Sequence, residues 1–283
     1  MNADRSALDP SRAALGFRPV VGSAPRTLTT SQLQAWNRDG FVSPLPLFDA
    51  GEVARNRALF DDLLAQRGEE GAYSINCFQA RSRGIWDLCT EPRILDAVED
   101  LIGPDIVCWA SHCFCKLPHD PKHVPWHQDA IYWHLAPART VTVWLAIDDA
   151  DEENAAMAFL PGSHARGALA WEAAGDGAVL DKAIGDTGAL GSPVSNTLRA
   201  GEISLHADML AHGSGPNRSA RRRCGLTIRY CPPEVRATDV LWRRGLEPVL
   251  CRGEDASGHW VHHRRPPGDD IRGVRPPHDL GGN

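Results

Sequence analysis

The sequence predicts a single α+β domain in which helices come first and a mainly β core follows. Up to residue 102 the apolar side chains recur at helical spacing, whereas from Ile106 onward they form short strand-like segments separated by Pro, Gly, Asp and Asn. Helices followed by many strands indicate a sandwich or barrel, because βαβ units would alternate the two patterns. A length of 283 residues suits one large domain.

Three helices are expected before the β core. The first is predicted to be capped by Thr30 and to end before Gly40. The second is capped by Asp49 and ends at Gly68, and the third covers Pro92–Ile102. Apolar residues recur on one face of these segments, so we expect the helices to flank the strands.

The remaining chain divides into one domain with three irregular parts. Residues 1–28 contain several prolines and are predicted to form a leader, so the domain itself covers residues 29–283. Residues 165–200 are rich in Ala, Gly and Asp without periodicity, which predicts a long excursion between strands. Long loops on a rigid scaffold often act as lids. Residues 232–283 form a C-terminal extension.

Composition limits the class of protein. With 42% hydrophobic and 23% charged residues, the chain is an ordinary globular protein. No apolar run approaches the length of a membrane span, and the first residues lack a secretory pattern, so we expect a cytoplasmic protein with no membrane contact. The eight cysteines are expected to be thiols; Cys113 and Cys115 are two apart, which suits a strand better than a zinc site.

The charge distribution does not indicate nucleic-acid binding. The net charge is −6, although residues 218–283 contain thirteen arginines against eight acidic residues. This basic tail has no nucleic-acid signature and no aromatic residues interleaved as in a stacking surface. We therefore expect no nucleic-acid partner; the oligomeric state has no sequence signal.

The strongest local signal is the tetrapeptide Trp126–Asp129 (Trp-His-Gln-Asp). On a strand, His127 and Asp129 point to the same side and could supply two of three ligands to a metal. An ordinary His–Asp hydrogen bond is the alternative. His212, at a predicted strand end, supplies a third ligand, and two histidines with one carboxylate are the set used by non-haem Fe(II) oxygenases. His206 competes for this place, although a packed histidine within a strand is the commoner case.

A later strand carries cations on one face. Arg223 and Arg229 alternate with apolar residues, so one face is polar and the other packs in the core. An arginine that points into a barrel needs an anionic partner, and a carboxylate held by the guanidinium fork is the natural candidate. Strand parity places Arg222 on the opposite face.

Two further strands predict walls of the same cavity. In the strand 140–147, the odd-numbered apolar residues would pack on the helices, which turns Thr142 and Trp144 inward. In the strand ending at Lys116, parity groups His112 with Phe114. A polar ring on an inward face usually has a hydrogen-bond partner, so we expect one for His112.

These motifs together resemble the phytanoyl-CoA dioxygenase family of Fe(II)- and 2-oxoglutarate-dependent oxygenases. The resemblance rests on Lys116, the Trp126–Asp129 motif and Leu160–His164 (Leu-Pro-Gly-Ser-His). It continues through His212–Ser219 (His-Gly-Ser-Gly-Pro-Asn-Arg-Ser) to Arg223, eleven residues after His212. The order and spacing of these motifs are more specific than any one of them.

The resemblance covers roughly residues 30–232 and implies a double-stranded β-helix, a cupin-like jelly roll, with flanking helices. It implies that Fe(II) is bound by the catalytic residues His127, Asp129 and His212, and that 2-oxoglutarate and O2 are co-substrates. The residues implied to contact 2-oxoglutarate or line its pocket are Arg223, Ser214, Trp144 and His112. The chain departs from the family at Ala155-Ala156, where glycine is usual.

The implied reaction is oxidation, most simply hydroxylation, of an unactivated carbon, with succinate and CO2 as co-products. We expect a small-molecule substrate, such as a metabolite or an intermediate of secondary metabolism. An acyl-CoA substrate is the alternative within this class, and the Arg-rich tail is a candidate site for its phosphates. A metal-dependent hydrolase and a catalytically silent jelly-roll binding module are the alternatives outside it.

Overall fold

The computed structural model describes residues 15–22, 24–68, 73 and 75–273. The predicted leader is described only over 15–22 and 24–28, where it contains neither helix nor strand. The helices are α1 (Thr30–Asp39), α2 (Ala50–Arg67), α3 (Arg83–Cys89), α4 (Pro92–Ile102) and α5 (Val240–Arg244). None of the helices in the described ranges is long and apolar enough to cross a membrane.

The predicted helices are present, with one correction at α1. Thr29, not Thr30, caps it: its backbone is extended, and its hydroxyl accepts a hydrogen bond from the amide of Gln32 at 3.2 Å. The Gln32 side chain accepts from the amide of Thr29 in return, which completes a capping box. Asp49 caps α2 as predicted, and α4 has the predicted bounds. The short helix α3 had not been predicted.

Strands follow from residue 106 onward, as the change of periodicity predicted, with one strand before them. The strands are β1 (Phe41–Pro46), β2 (Ile106–Lys116), β3 (Val124–His127), β4 (Leu135–Ala136), β5 (Val141–Ala146), β6 (Ala158–Phe159), β7 (Glu172–Ala173), β8 (Lys182–Ala183), β9 (Val194–Ser195), β10 (Glu202–Ala207), β11 (His212–Ser214), β12 (Arg223–Cys231), β13 (Arg236–Ala237) and β14 (Val249–Arg252).

Two antiparallel sheets form the core. The larger has the order β1-β10-β5-β12-β2-β14, and the smaller has the order β3-β11-β6-β9. Neighbours in space are mostly distant in sequence, as in a jelly roll and unlike a meander. The predicted fold class is therefore confirmed: a mainly β jelly roll with flanking helices.

Strand parity holds in the larger sheet. The outward residues of β5, such as Val141 and Val143, pack in one cluster with α2 and α4 residues such as Phe60 and Val98. The inward residues of β5 and β12 line a cavity instead. A period of two therefore assigns each residue either to the helix-packed core or to the cavity wall.

The irregular parts attach to both sheets. Within 165–200, β7 pairs with β8, and β9 joins the smaller sheet beside β6. In the C-terminal extension, β14 forms an edge of the larger sheet beside β2. Both segments are thus tied to the jelly roll through backbone hydrogen bonds.

Candidate active site

A cavity between the two sheets contains every residue that the sequence predicted for the site. Strands of the larger sheet form one wall, and β3 and β11 of the smaller sheet form the opposite one. The predicted residues that line it are His112, His127, Asp129, Trp144, His212, Ser214 and Arg223.

The pairing of β3 with β11 brings two histidines together. His127 ends β3 and lies directly opposite His212, which begins β11. Their ring centroids are 4.1 Å apart. Asp129 does not continue the strand as expected; it begins a short 3-10 turn, Asp129–Ile131, which still directs its carboxylate to the histidines.

The three side chains form a compact set of ligand atoms. Nε2 of His127 lies 3.5 Å from Oδ1 of Asp129, and Nε2 of His212 lies 4.0 Å from the same oxygen. One ligand atom from each residue lies within 4.8 Å of the other two, and all three residues are buried. Small side-chain movements would therefore bring all three atoms to bonding distance of one ion.

Backbone carbonyls fix which ring nitrogens are free. Nδ1 of His127 lies 2.9 Å from the carbonyl oxygen of Pro125, and Nδ1 of His212 lies 3.0 Å from that of Leu210. A carbonyl only accepts, so each Nδ1 carries the hydrogen and each Nε2 keeps its lone pair toward Asp129. This is the tautomer that a metal-binding histidine needs.

His206 lacks this support. Neither of its ring nitrogens has a hydrogen-bond partner in the described part of the chain, although the side chain is buried. Its Nε2 lies 3.8 Å from Oδ2 of Asp129, whereas the other two histidines face Oδ1. Geometry therefore favours His212 over His206 as the third member of the set.

The protonation states suit a cation. Burial opposes ionisation of Asp129, but the imidazoles of His127 and His206 beside it, followed by the charges of His212 and Arg229, lower the pKa of that carboxyl well below its usual range. Burial, followed by the neighbouring His127, lowers the pKa of His212 well below its usual range. A carboxylate beside a neutral imidazole is what a divalent ion binds.

Arg223 is a buried cation that has no anionic partner in the part of the chain that the structure describes. Its residue is 2% exposed, and its guanidinium lies over the ring of Trp144 at 5.6 Å. Nη2 contacts the hydroxyl of Ser214 at 3.4 Å, and Nε has no partner among the described residues. Burial lowers the pKa of the guanidinium, which reflects the cost of a charge in this place. An anionic ligand would remove that cost.

Arg222 points the other way, as strand parity predicted. Its Nε donates to Asp148 at 2.7 Å, and its Nη1 contacts Asp61 at 2.6 Å, on the outer side of the sheet. It is therefore neutralised by carboxylates of the same chain and does not line the cavity. Only one of the two neighbouring arginines is available to a ligand in the cavity.

Lys116 adds a second buried cation beside Arg223, its register partner across the β2–β12 pair. Nζ contacts the backbone carbonyls of Lys122, Ser214 and Gly215. Burial and the charge of Arg223 lower the pKa of Lys116 to about 7. The charge of this lysine is therefore only partly present near neutral pH, unlike that of Arg223.

His112 is a neutral wall residue. Its Nε2 lies 3.1 Å from the carbonyl oxygen of Tyr73, and its ring stacks on Phe114 at 4.0 Å. Burial and the charge of Arg229 lower the pKa of His112 to about 3. The partner predicted for this inward ring is thus a backbone carbonyl.

Several cavity residues were not predicted for the site. Tyr132 and Trp133 lie within four residues of the metal motif, and Arg229 belongs to the cationic face of β12, so the sequence contained a signal for these three. The others come from segments without periodicity and had no signal. They include Asn76, Met157, Val179 and Leu180.

Known proteins share sequence similarity with this chain. The family model for phytanoyl-CoA dioxygenase matches residues 36–225. Peroxisomal phytanoyl-CoA dioxygenase of Bos taurus is 28% identical over 166 residues, covering 55% of this chain and 48% of that protein. Ectoine dioxygenase of Bordetella parapertussis is 26% identical over 165 residues, covering 52% and 54%. The matches thus span about half the length of these curated relatives.

Solved structures share the fold. The apo form of ThoJ, a non-heme monooxygenase, superposes with a TM-score of 0.71 at 29% identity, covering 83% of this chain and 88% of that one. CytC3 with Fe(II) and alpha-ketoglutarate superposes with a TM-score of 0.63 at 21% identity, covering 86% and 100%. At that identity the second likeness supports the fold alone.

Proposed function

Because the chain belongs to the phytanoyl-CoA dioxygenase family, whose members are non-haem Fe(II)- and 2-oxoglutarate-dependent dioxygenases, we propose that it oxidises an unactivated carbon of a small metabolite or natural-product intermediate. Hydroxylation is the simplest outcome, with succinate and CO2 as co-products. We propose His127, Asp129 and His212 as the iron ligands. Arg223, Ser214, Trp144 and His112 are proposed to form the 2-oxoglutarate pocket.

The observation that supports this function most strongly is the ligand set itself. His127 and His212 both direct Nε2 toward the buried carboxylate of Asp129. Three protein ligands leave open positions on an octahedral ion, which a bidentate 2-oxo acid and dioxygen can occupy. When bound, Fe(II) supplies activation of dioxygen, with electrons from decarboxylation of 2-oxoglutarate.

The remaining residues orient and shield the reactants. Arg223 binds the distal carboxylate of 2-oxoglutarate with help from the Ser214 hydroxyl, since that guanidinium has no other anion. Trp144 supports the guanidinium by a cation–π contact. His112 stays neutral and closes the wall. Burial of these groups keeps bulk water away from the reacting atoms.

A small substrate fits better than an acyl-CoA. The cavity combines aromatic and aliphatic side chains with a few charged ones, as small-molecule sites do. Five of the thirteen arginines in the C-terminal tail, which was a candidate site for CoA phosphates, form ion pairs within the chain. Those with carboxylate partners are Arg221, Arg222, Arg252, Arg265 and Arg272.

The alternatives outside this class explain less of the site. A metal-dependent hydrolase would use the three ligands but would have no use for Arg223 in the cavity. A silent binding module would not require three intact ligands. We also propose a cytoplasmic location, because all eight cysteines are free thiols, which a reducing compartment preserves.

Substrate-dependent formation of succinate tests this function. Protein supplied with Fe(II), 2-oxoglutarate and O2 is incubated with panels of small organic acids, natural-product intermediates and acyl-CoA thioesters. We expect succinate above background with a member of the first two panels and none with His127→Ala. Substrate hydrolysis without succinate formation would favour the hydrolase. Ligand binding with no turnover of any kind would favour the silent module.

A further inference from the structure

Arg229 is a second buried arginine in the same cavity. It follows Arg223 by six residues on β12, so both side chains lie on the inner face. The residue is 7% exposed, and its Nε has no hydrogen-bond partner in the described ranges. The strand therefore brings two arginines into one pocket, and the proposed co-substrate accounts for only one of them.

No buried carboxylate of the described residues pairs with Arg229. Glu247 forms its ion pair with Arg81. Asp208 accepts a hydrogen bond from the amide of Thr140, and burial raises the pKa of Asp208 to about 7. Asp129 lies near enough to feel the charge of Arg229 but forms no ion pair with it. The charge of Arg229 thus remains without a counter-ion of its own.

Aromatic rings hold the Arg229 guanidinium without neutralising it. Its central carbon lies 5.0 Å from the ring centroid of Trp133 and 5.8 Å from that of Trp109. Such cation–π contacts stabilise the charge and fix the orientation of the group. Trp133 and Tyr132 also line the cavity, so an apolar surface lies directly beside the cation.

Register places Arg229 level with the candidate metal ligands. In the larger sheet, Arg229 on β12 lies opposite Thr142 on β5. The other neighbour of β5 is β10, on which His206 lies opposite Thr142. Thr142 in turn holds Asp129 through its hydroxyl. Arg223 instead lies opposite Lys116, three inward-facing positions further along β12. Six residues of a strand span roughly 20 Å, so the two arginines lie at different positions along the cavity wall.

The charge balance of the complete site favours an anionic substrate. Arg223, Arg229 and one divalent ion bring four positive charges, while Asp129 and the 2-oxoglutarate dianion bring three negative ones. Protonated Lys116 would only add to the excess. A buried excess charge is costly unless a ligand of opposite sign compensates it.

We propose that Arg229 selects the primary substrate by binding a carboxylate, and that the substrate is therefore a small organic acid. Its apolar part lies against Trp133 and Tyr132 and beside Val179 and Leu180, which line the cavity from the 165–200 segment. This inference rests on the proposed function and adds the substrate class to it.

The test compares acids with their neutral isosteres. The protein is loaded with Ni(II), which does not support turnover, and with saturating 2-oxoglutarate. It is then titrated with three pairs of ligands: phenylacetate and phenylacetamide, hexanoate and hexanamide, and indole-3-acetate and indole-3-acetamide. Binding is followed by ligand-observed NMR. We expect at least one acid to bind tenfold or more tightly than its amide, because a charge-assisted pair at Arg229 is available only to the acid.

Variants assign that preference to one residue. Arg229→Gln should remove the preference for the acid while Ni(II) and 2-oxoglutarate still bind, and Arg229→Lys should keep part of it. Arg222→Gln is the matched control, because Arg222 directly precedes β12 and its side chain pairs with Asp148 outside the cavity. Retained binding of Ni(II) and 2-oxoglutarate also reports that each variant is folded.

Three results would overturn the proposal. In the first, the unaltered protein binds every acid and its amide equally or binds none of them. In the second, the preference for the acid survives in Arg229→Gln. In the third, Arg229→Gln lowers the affinity for 2-oxoglutarate as strongly as Arg223→Gln does. If Arg229→Gln does not fold, unchanged preference in Arg229→Lys overturns it and reduced preference supports it. Failure of the unaltered protein to bind Ni(II) with 2-oxoglutarate would instead contradict the proposed function.

Discussion

The hydroxyl of Thr142 donates a hydrogen bond to Oδ2 of Asp129 across 3.1 Å. Thr142 belongs to β5 of the larger sheet, and Asp129 follows β3 of the smaller sheet, so this contact joins the two walls of the cavity. It occupies one carboxylate oxygen and leaves Oδ1 facing His127 and His212. Hydrogen bonds of this kind orient metal ligands and tune their affinity.

Removing that hydroxyl should weaken metal binding. Thr142→Val keeps the side-chain shape but releases Oδ2 of Asp129, so we expect metal affinity to fall about 10- to 100-fold. Titration of Fe(II) against a competing chelator measures this. Thr227→Val is the control, because its hydroxyl donates to the carbonyl of His112 and not to a ligand. Equal affinity in Thr142→Val and the unaltered protein would contradict the role of Thr142.

The two neighbouring arginines should differ in their effect on 2-oxoglutarate. Arg223→Ala should raise the 2-oxoglutarate requirement at least tenfold, about 1.4 kcal/mol, since hydrogen bonds to charged groups contribute roughly 1.5–3 kcal/mol. Arg222→Ala should change it little, because Arg222 pairs with Asp148 outside the cavity. Steady-state titration of 2-oxoglutarate measures both. Similar effects of the two substitutions would show that the anion site is not built on Arg223.

Ala155, which stands where the family usually has glycine, should lower the stability of the folded protein. Ala155 has a φ of 68°, in the left-handed region, where the Cβ of a non-glycine residue is strained. Ala155→Gly should therefore raise the free energy of unfolding by about 1 kcal/mol, seen as a higher denaturant midpoint with an unchanged slope. Ala156→Gly, at a position without positive φ, should not stabilise. A lower midpoint for Ala155→Gly would contradict this explanation.

Residues 165–200 are proposed to act as a lid. Val179 and Leu180 line the cavity, and the amide of Leu169 donates to Oε1 of Gln128 at 2.8 Å, next to Asp129. Short strand pairs hold this segment, so local opening should cost less there than in β5. Hydrogen exchange in the segment should slow when the substrate found by succinate formation binds. Protection equal to that of residues 140–147 in the free protein would contradict a lid.

Strand parity accounts for most of what the sequence predicted correctly. Side chains alternate between the two faces of a strand. The sequence alone therefore predicted that Thr142 and Trp144 face the cavity and that Arg223 and Arg222 point to opposite sides. The same rule was wrong in detail at Asp129. The strand ends at His127, and a 3-10 turn places the carboxylate instead.

Features without periodicity could not be predicted. Helix α3 has seven residues, too few for an apolar period to be distinguished from chance. Asn76 and Leu180 reach the cavity because distant segments pack over it, which no local pattern encodes. The missing partner of Arg229 is likewise a property of the folded surroundings: the sequence showed that its face is cationic but not that its carboxylate neighbours are occupied elsewhere.

Anaerobic titration with Fe(II) and 2-oxoglutarate tests the central claim most directly. We predict that each chain takes up one Fe(II) and one 2-oxoglutarate and develops the weak visible charge-transfer absorption of a chelated 2-oxo acid. His127→Ala and His212→Ala should abolish this absorption, and His206→Ala should retain it. Full iron affinity in His212→Ala with loss in His206→Ala, or Fe(II) binding to the unaltered protein without the absorption, would contradict the proposed site.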